Sequence, residues 1–323
     1  MKIDVATFGS ATKDVFLRSD SQIVNSDQFT TGKGLCFPLG SKVSVKDLFF
    51  TTGGGGTNTA ATFSRQGLQT AYVGKVGKDL AGRDVISALE GFGIITDWVQ
   101  TTMEKRTNFS VVLDVENEDR TILVYRGASG TLKPQEIPSD IQAKWFYIAP
   151  FPKSSLDTFY KIIDIGKRDD VKLAVNPSKS QLRDSNFTER INDFDILIVN
   201  QEEASILTGI PYKNEREIFG EIDNLFRGIF VMTKGPDGLI LSDDERLYEV
   251  NTTPESEVAD RTGAGDSFGS GFVSGRIKGM TIEESIHLGV ANATNCLKEK
   301  GAKYGILKEG DDYQKVAVEI TKK

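Results

Sequence analysis

Six short apolar runs limit what this chain folds into: residues 3–8, 70–73, 145–149, 172–175, 196–199 and 229–233. Each ends in a turn, is too short for a core helix, and reads as a buried strand. Longer helical patterns lie between them, including 57–67, 80–92 and 154–167. Strands buried on both faces and alternating with helices imply βαβ crossovers and a mostly parallel sheet. The class is α/β, and 323 residues are ample for one large domain with a small accessory element.

Two regions break the rhythm. Residues 16–50 and 108–125 read as exposed or hairpin strands. Val111–Val115 and Thr121–Tyr125, separated by the acidic run 116–119, read as a β-hairpin. The stretch 36–40, Cys-Phe-Pro-Leu-Gly, yields no assignment. A formal net charge of -7 argues against a nucleic-acid partner. Cys36 and Cys296 are far apart and read as reduced, packed thiols. Asp4 interrupts the apolar start, no signal peptide is readable, and no run approaches the roughly 20 apolar residues of a membrane span. The expectation is a cytoplasmic protein without a membrane partner.

The segment with the most chemistry is 260–268, Asp-Arg-Thr-Gly-Ala-Gly-Asp-Ser-Phe. Gly263, Ala264 and Gly265 leave backbone N–H groups uncovered at what reads as a helix start, where anions bind. Asp266 stands beside them as a carboxylate able to take a proton from a hydroxyl. An anion cradle next to a base is the minimum equipment for moving a phosphoryl group onto an alcohol. The competing reading is a glycine turn with an N-terminal Asp that only favours the helix dipole. Upstream, 53–61 reads Gly-Gly-Gly-Gly-Thr-Asn-Thr-Ala-Ala, followed by Gly67, Gly74, Gly77 and Gly82.

These two segments, in this order and at this separation, resemble the paired signatures of the ribokinase-like (PfkB) carbohydrate kinases. The resemblance runs from Asp14 to about Gly305, with Arg261 a departure where the family usually has Thr. It implies a three-layer α/β/α domain formed by 1–15, 51–107 and 126–323, with 16–50 and 108–125 as a small β lid over the sugar site. It implies ATP as phosphoryl donor, with Mg²⁺, and a sugar as acceptor. Asp266 is then the catalytic base and Gly263 to Gly265 the anion hole. Asp14 and Asn58 would hold acceptor hydroxyls, while Gly54 and Gly55 would let the sugar approach the backbone.

On the nucleotide side, Asn200 and Glu203 match the family's Asn-x-x-Glu motif, with Glu203 reaching Mg²⁺ through water. The same residues equally suit a helix N-cap with acids in its first turn. Thr233, Gly235 and Gly238 match a nucleotide-side loop, and a plain glycine turn fits all but Gly235 equally. Asn292 and Asn295 fall near the expected adenine pocket, on a helix opened by a capping box at Thr281 and Glu284. Asp260 and Thr262 occupy places where many family members bind a monovalent cation, K⁺. The resemblance leaves open a homodimer through the lid.

The reading is a carbohydrate kinase acting on a hydroxymethyl group of a monosaccharide such as ribose or fructose. A nucleoside kinase would need an aromatic clamp, for which Phe16, Phe29, Phe37 and Phe109 are the lid candidates. A sugar-phosphate kinase would need Lys33, Lys42, Arg106 or Arg126 turned inward. A non-catalytic sugar-binding regulator has no need of Asp266. There is no P-loop motif, Gly269 to Gly275 lacks dinucleotide spacing, and the lone His287 reads as structural.

Overall fold

The computed structural model describes residues 3–19, 22–29, 31–115, 120–252 and 258–323. A ten-stranded sheet forms the centre. From one edge its strands are Val99–Thr102, Thr70–Gly77, Ile3–Phe8, Ala143–Ile148, Lys172–Val175, Ile196–Asn200 and Ile229–Thr233, all parallel. Leu239–Ser242, Arg246–Val250 and Glu319–Lys322 extend it antiparallel. All six runs singled out in the sequence are strands of this sheet.

Successive residues along these strands face opposite layers. Phe146, Ile148, Leu197, Val199 and Met232 pack with Phe159 and Ile162 of helix Leu156–Arg168 and Ile218 and Ile222 of helix Glu215–Leu225. Tyr147, Ile196, Ile198 and Val231 pack instead with Phe63 of helix Gly55–Arg65 and with Phe268 and Phe272 of helix Ala264–Ile277. Each buried large apolar side chain is worth about 1.5–3 kcal/mol. A slip of one residue would exchange the two sets, so the alternation fixes the register.

Chain order reverses beside Ile3–Phe8, which pairs with Thr70–Gly77 on one side and Ala143–Ile148 on the other. In open α/β sheets, ligands bind in the crevice at the carboxyl ends of the strands at such a point. The turn that follows is tight. Gly9 has φ 149°, and a Cβ there would lie 2.8 Å from the Ala149 Cβ and 3.0 Å from Gly56 N. Tyr72 pins the turn by donating its hydroxyl to the Gly9 carbonyl at 2.9 Å.

Beyond that turn the chain enters a second, four-stranded sheet. Thr12–Ser19 pairs antiparallel with Val45–Gly53 and parallel with Asn108–Asp114, which pairs antiparallel with Thr121–Tyr125. This is the expected small β layer, and the expected hairpin is present. The acidic run 116–119 lies outside the described residues. The layer starts earlier and ends later than the expected 16–50: its pairing runs from Thr12 to Gly53, so Asp14 belongs to it. Gln22–Asn25 and Lys33–Cys36 form a separate two-stranded ribbon. Among the described residues, no helix is long and apolar enough to cross a membrane.

Candidate active site

Two helices begin at the crevice. Helix Gly55–Arg65 has most of its first donors occupied: Ser10 Oγ accepts from Gly55 N at 3.2 Å, and the Ser10 carbonyl accepts from Gly56 N at 3.2 Å. Helix Ala264–Ile277 is different. Its N-cap, Gly263, is left-handed at φ 80° and carries no capping side chain. A Cβ on Gly263 would fall 2.2 Å from the Ala302 Cβ, so this turn accepts only glycine. A Cβ on Gly265 would meet nothing within 4 Å, so that face of the helix start is open. Uncapped N–H groups at the positive end of a helix dipole form an anion cradle.

Asp266 sits in the first turn of this helix, and its Oδ2 accepts from Asn58 Nδ2 at 2.8 Å. Burial pushes the Asp266 carboxyl above the usual carboxylate range, opposed by the Asn58 hydrogen bond and the charge of Lys303. Asn58 is 5% exposed, and its Oδ1, buried, has no hydrogen-bond partner among the described residues. A buried amide oxygen left unpaired is an acceptor waiting for a donor such as an alcohol. Gly55 is close by: a Cβ there would approach the Asp266 Oδ1 to 3.4 Å and the Ala149 Cβ to 3.2 Å.

Asp14 comes to the same crevice from the small sheet, between Thr51 and Ser110 on the neighbouring strands. It is 8% exposed, and burial raises its pKa, opposed by a hydrogen bond with Ser110 and the charges of Lys303 and Lys13. Its carboxylate lies over Gly53, where a Cβ would sit 2.0 Å from Oδ2.

Lys303 was not found by sequence reasoning. It is 3% exposed and donates to Thr52 O at 2.7 Å and to Thr52 Oγ1 at 3.2 Å. Burial pulls its amine down to about 7, against the opposing pull of Asp14 and Asp266. One buried amine thus lies within electrostatic reach of two carboxylates, Asp14 on a strand of the small sheet and Asp266 on a helix beside the large one. Its only trace in the sequence is a lysine inside a glycine-bounded loop, Gly301 to Gly305.

Asn200 and Thr233 end adjacent parallel strands and are register partners. Asn200 Oδ1 accepts from Glu203 N at 2.8 Å, and Glu203 Oε2 accepts from Asn200 N at 2.9 Å, forming the capping box of helix Gln201–Thr208. Burial raises the Glu203 carboxyl. Gly235, at φ 59°, has open space around it.

Several expected roles do not survive the geometry. At Gly238 a Cβ would fall 1.8 Å from the Val250 carbonyl of the adjacent strand, so packing alone requires glycine there. At Gly54, φ 99°, a Cβ would likewise fall 2.5 Å from the Ser10 carbonyl, so the turn itself requires glycine. Asn292 is fully buried; it donates to Ser267 O at 2.7 Å and accepts from Leu307 N at 2.8 Å, so its amide ties helices and loop together. Asn295, on the same helix, is half-buried, and its carbonyl lies against Gly305. A K⁺ ion at Asp260 and Thr262 does not fit either. Asp260 Oδ1 accepts from Thr262 N and Thr262 Oγ1 and is ion-paired with Arg120 Nη1, and Oδ2 accepts from Gly301 N.

The comparisons with known proteins agree with this architecture. The family model "pfkB family carbohydrate kinase" matches residues 5–309. The chain therefore belongs to the pfkB family of carbohydrate kinases, which are phosphotransferases acting on alcohol groups and using ATP. It is a sugar or nucleoside kinase of that family. An uncharacterized sugar kinase of Archaeoglobus fulgidus is 30% identical over 255 residues, 77% of this chain and 99% of that protein. A ribokinase of Haemophilus influenzae is 26% identical over 269 residues, 79% of this chain and 83% of that one. Arabidopsis thaliana ribokinase, solved with ribose and ATP, superposes with a TM-score of 0.75 at 22% identity, covering 95% of this chain and 96% of its own. That last likeness establishes the ribokinase-like fold.

Proposed function

We propose that this chain transfers the γ-phosphoryl group of ATP to a hydroxymethyl group of a monosaccharide such as ribose or fructose. The observation that carries the reading is Asp266, held by Asn58 at 2.8 Å in the first turn of a helix whose N-terminus is uncapped. The acceptor hydroxyl gives its proton to the Asp266 carboxylate while its oxygen bonds to the γ-phosphorus. The bond from that phosphorus to the β,γ-bridging oxygen breaks, and ADP leaves. The N–H groups of Ala264, Gly265 and Asp266 face the charge that gathers on the phosphoryl oxygens.

Asp14 and Asn58 Oδ1 orient the acceptor by taking hydrogen bonds from its other hydroxyls. Both come from buried positions, where an unpaired group is costly, so acceptors lacking those hydroxyls bind poorly. Asn200, Glu203, Thr233 and Gly235 line the nucleotide side. Glu203 uses one carboxylate oxygen in its capping box, leaving the other for a water of Mg²⁺, which suits an ion that keeps most of its hydration. Among the described residues no cluster of three acidic, His or Cys groups offers a protein cage, consistent with an ion carried largely by the nucleotide. Mg²⁺ there would neutralise phosphate charge.

ATP turnover measured against pentoses, hexoses, nucleosides and hexose phosphates tests the reading; no turnover with any monosaccharide defeats it. A nucleoside kinase is the second reading. Phe16, two residues beyond Asp14 on the same face, packs on Phe49 at 6.1 Å and is 5% exposed. Phe109 is paired with Lys13 and lies on the opposite face from Asp14, while Phe29 and Phe37 are exposed. Only Phe16 of the four thus supports a base clamp. Arg106 and Arg126 are exposed, which disfavours a sugar phosphate. The reading also includes action in the cytoplasm, where ATP is supplied. A homodimer through the lid is supported by Leu48, Phe50, Leu123 and Tyr125, all exposed on one face of that sheet. Sedimentation of a Phe50→Glu variant as a monomer beside a dimeric wild type would bear this out.

A further inference from the structure

The Asp260 carboxylate is 4% exposed and lies three residues before Gly263, the start of the helix that carries Asp266. Its oxygens are filled from the protein. Thr262 N donates to Oδ1 at 2.9 Å and Thr262 Oγ1 at 2.8 Å, Arg120 Nη1 forms an ion pair with Oδ1 at 2.9 Å, and Gly301 N donates to Oδ2 at 3.1 Å. A buried carboxylate needs a counter-charge, and here it is a guanidinium. Arg120 directly precedes strand Thr121–Tyr125, so that charge arrives from the small sheet and not from solvent. A K⁺ ion on the same oxygen would have to stand against a cation already ion-paired with it at 2.9 Å.

We propose that Arg120 is a positioning residue that replaces a bound monovalent cation, neutralising Asp260 and so holding the turn that aims the Ala264 and Gly265 N–H groups. The proposal rests on the kinase reading of this site. Two consequences follow from the geometry. Phosphoryl transfer is independent of K⁺, and seating the hairpin strand and setting the cradle are a single event. Asp260 also acts on Asp14 and on the Cys296 thiol, so an unneutralised Asp260 would disturb the acceptor side as well.

The full chain is assayed with ATP and an acceptor it turns over, in KCl, NaCl or choline chloride at equal ionic strength. Wild type runs at the same rate in all three salts. Arg120→Ala is slow in choline and recovers by about tenfold in KCl, the scale of a coupling between two sites. Arg120→Lys keeps wild-type indifference to salt. In thermal melting without substrates, KCl raises the Tm of Arg120→Ala over choline and leaves wild type unchanged. Strong stimulation of wild type by KCl overturns the proposal. So does an Arg120→Ala variant equally impaired in both salts, in rate and in melting. Because melting needs no acceptor, a chain without kinase activity would defeat the functional reading and still leave the cation question answered.

Discussion

Removing one amide should move the pH profile of this enzyme. In Asn58→Ala the Asp266 carboxylate loses the hydrogen bond that Asn58 Nδ2 gives it at 2.8 Å. That bond favours the ionised form, against a burial that favours the neutral one. A hydrogen bond to a charged group is worth about 1.5–3 kcal/mol. Its loss should raise the Asp266 pKa further, and at about 1.4 kcal/mol per tenfold it cuts the ionised fraction by about 10–100-fold. The base must be ionised to work, so the acid limb of kcat/KM moves to higher pH. Below the limb, at fixed pH, the variant should be about 10–100-fold slower, while on the plateau the protonation effect vanishes. The lost Oδ1, unpaired in the structure, should separately raise the KM for the acceptor at every pH. The assay is kcat/KM from acid to mildly alkaline pH, with the Mg²⁺–ATP concentration held saturating. An acid limb that coincides with wild type would refute the argument that Asn58 holds Asp266 in its charged form.

Asp266→Asn should retain the fold and nucleotide affinity while turnover falls about 10²–10⁴-fold, the range for losing a general base; near-wild-type turnover would remove Asp266 from that role. Asp14→Ala should weaken acceptor binding in calorimetry and leave ATP affinity close to wild type, and unchanged sugar affinity would move the acceptor pocket elsewhere. Lys303 has a folded pKa of about 7, below the roughly 10.4 of an unfolded lysine. Its contribution to stability is therefore fully present above the unfolded value and is lost as pH falls toward 7. Lys303→Met should accordingly gain on wild type in urea unfolding as pH drops through that window; a pH-independent difference would contradict the burial argument. Hydrogen exchange in Thr12–Ser19 and Asn108–Asp114 should slow on adding a true acceptor, while Ile196–Asn200 barely changes; equal protection with and without acceptor would indicate a preformed pocket.

The sheet was legible because strands buried on both faces leave short unbroken apolar runs, and all six are where the pattern put them. The Asp266 helix start was legible because Gly263 is a position that admits no other residue. What escaped was everything decided by contacts between distant segments. A lysine in a glycine loop gives no sign that it will be buried within electrostatic reach of two carboxylates, as Lys303 is. Nothing local marks Arg120 as the partner of Asp260. Asn292 carries the opposite lesson: the resemblance put it near an adenine pocket, and the structure uses its amide inside. Gly54 and Gly238 look like ligand glycines in sequence, yet each is required by a neighbouring backbone carbonyl.

Asn58 and Asp266 stand 208 residues apart in the chain, and Lys303 comes later still. During synthesis from the N-terminus, every strand of the parallel sheet and the whole of the small sheet are made before the Gly263 turn exists. A chain that ends before Gly263 therefore carries Asp14 and Asn58 but neither Asp266 nor the turn ahead of it. On the proposed mechanism, phosphoryl transfer waits for that late helix, because Asp266 and the Gly263 turn arrive on it together.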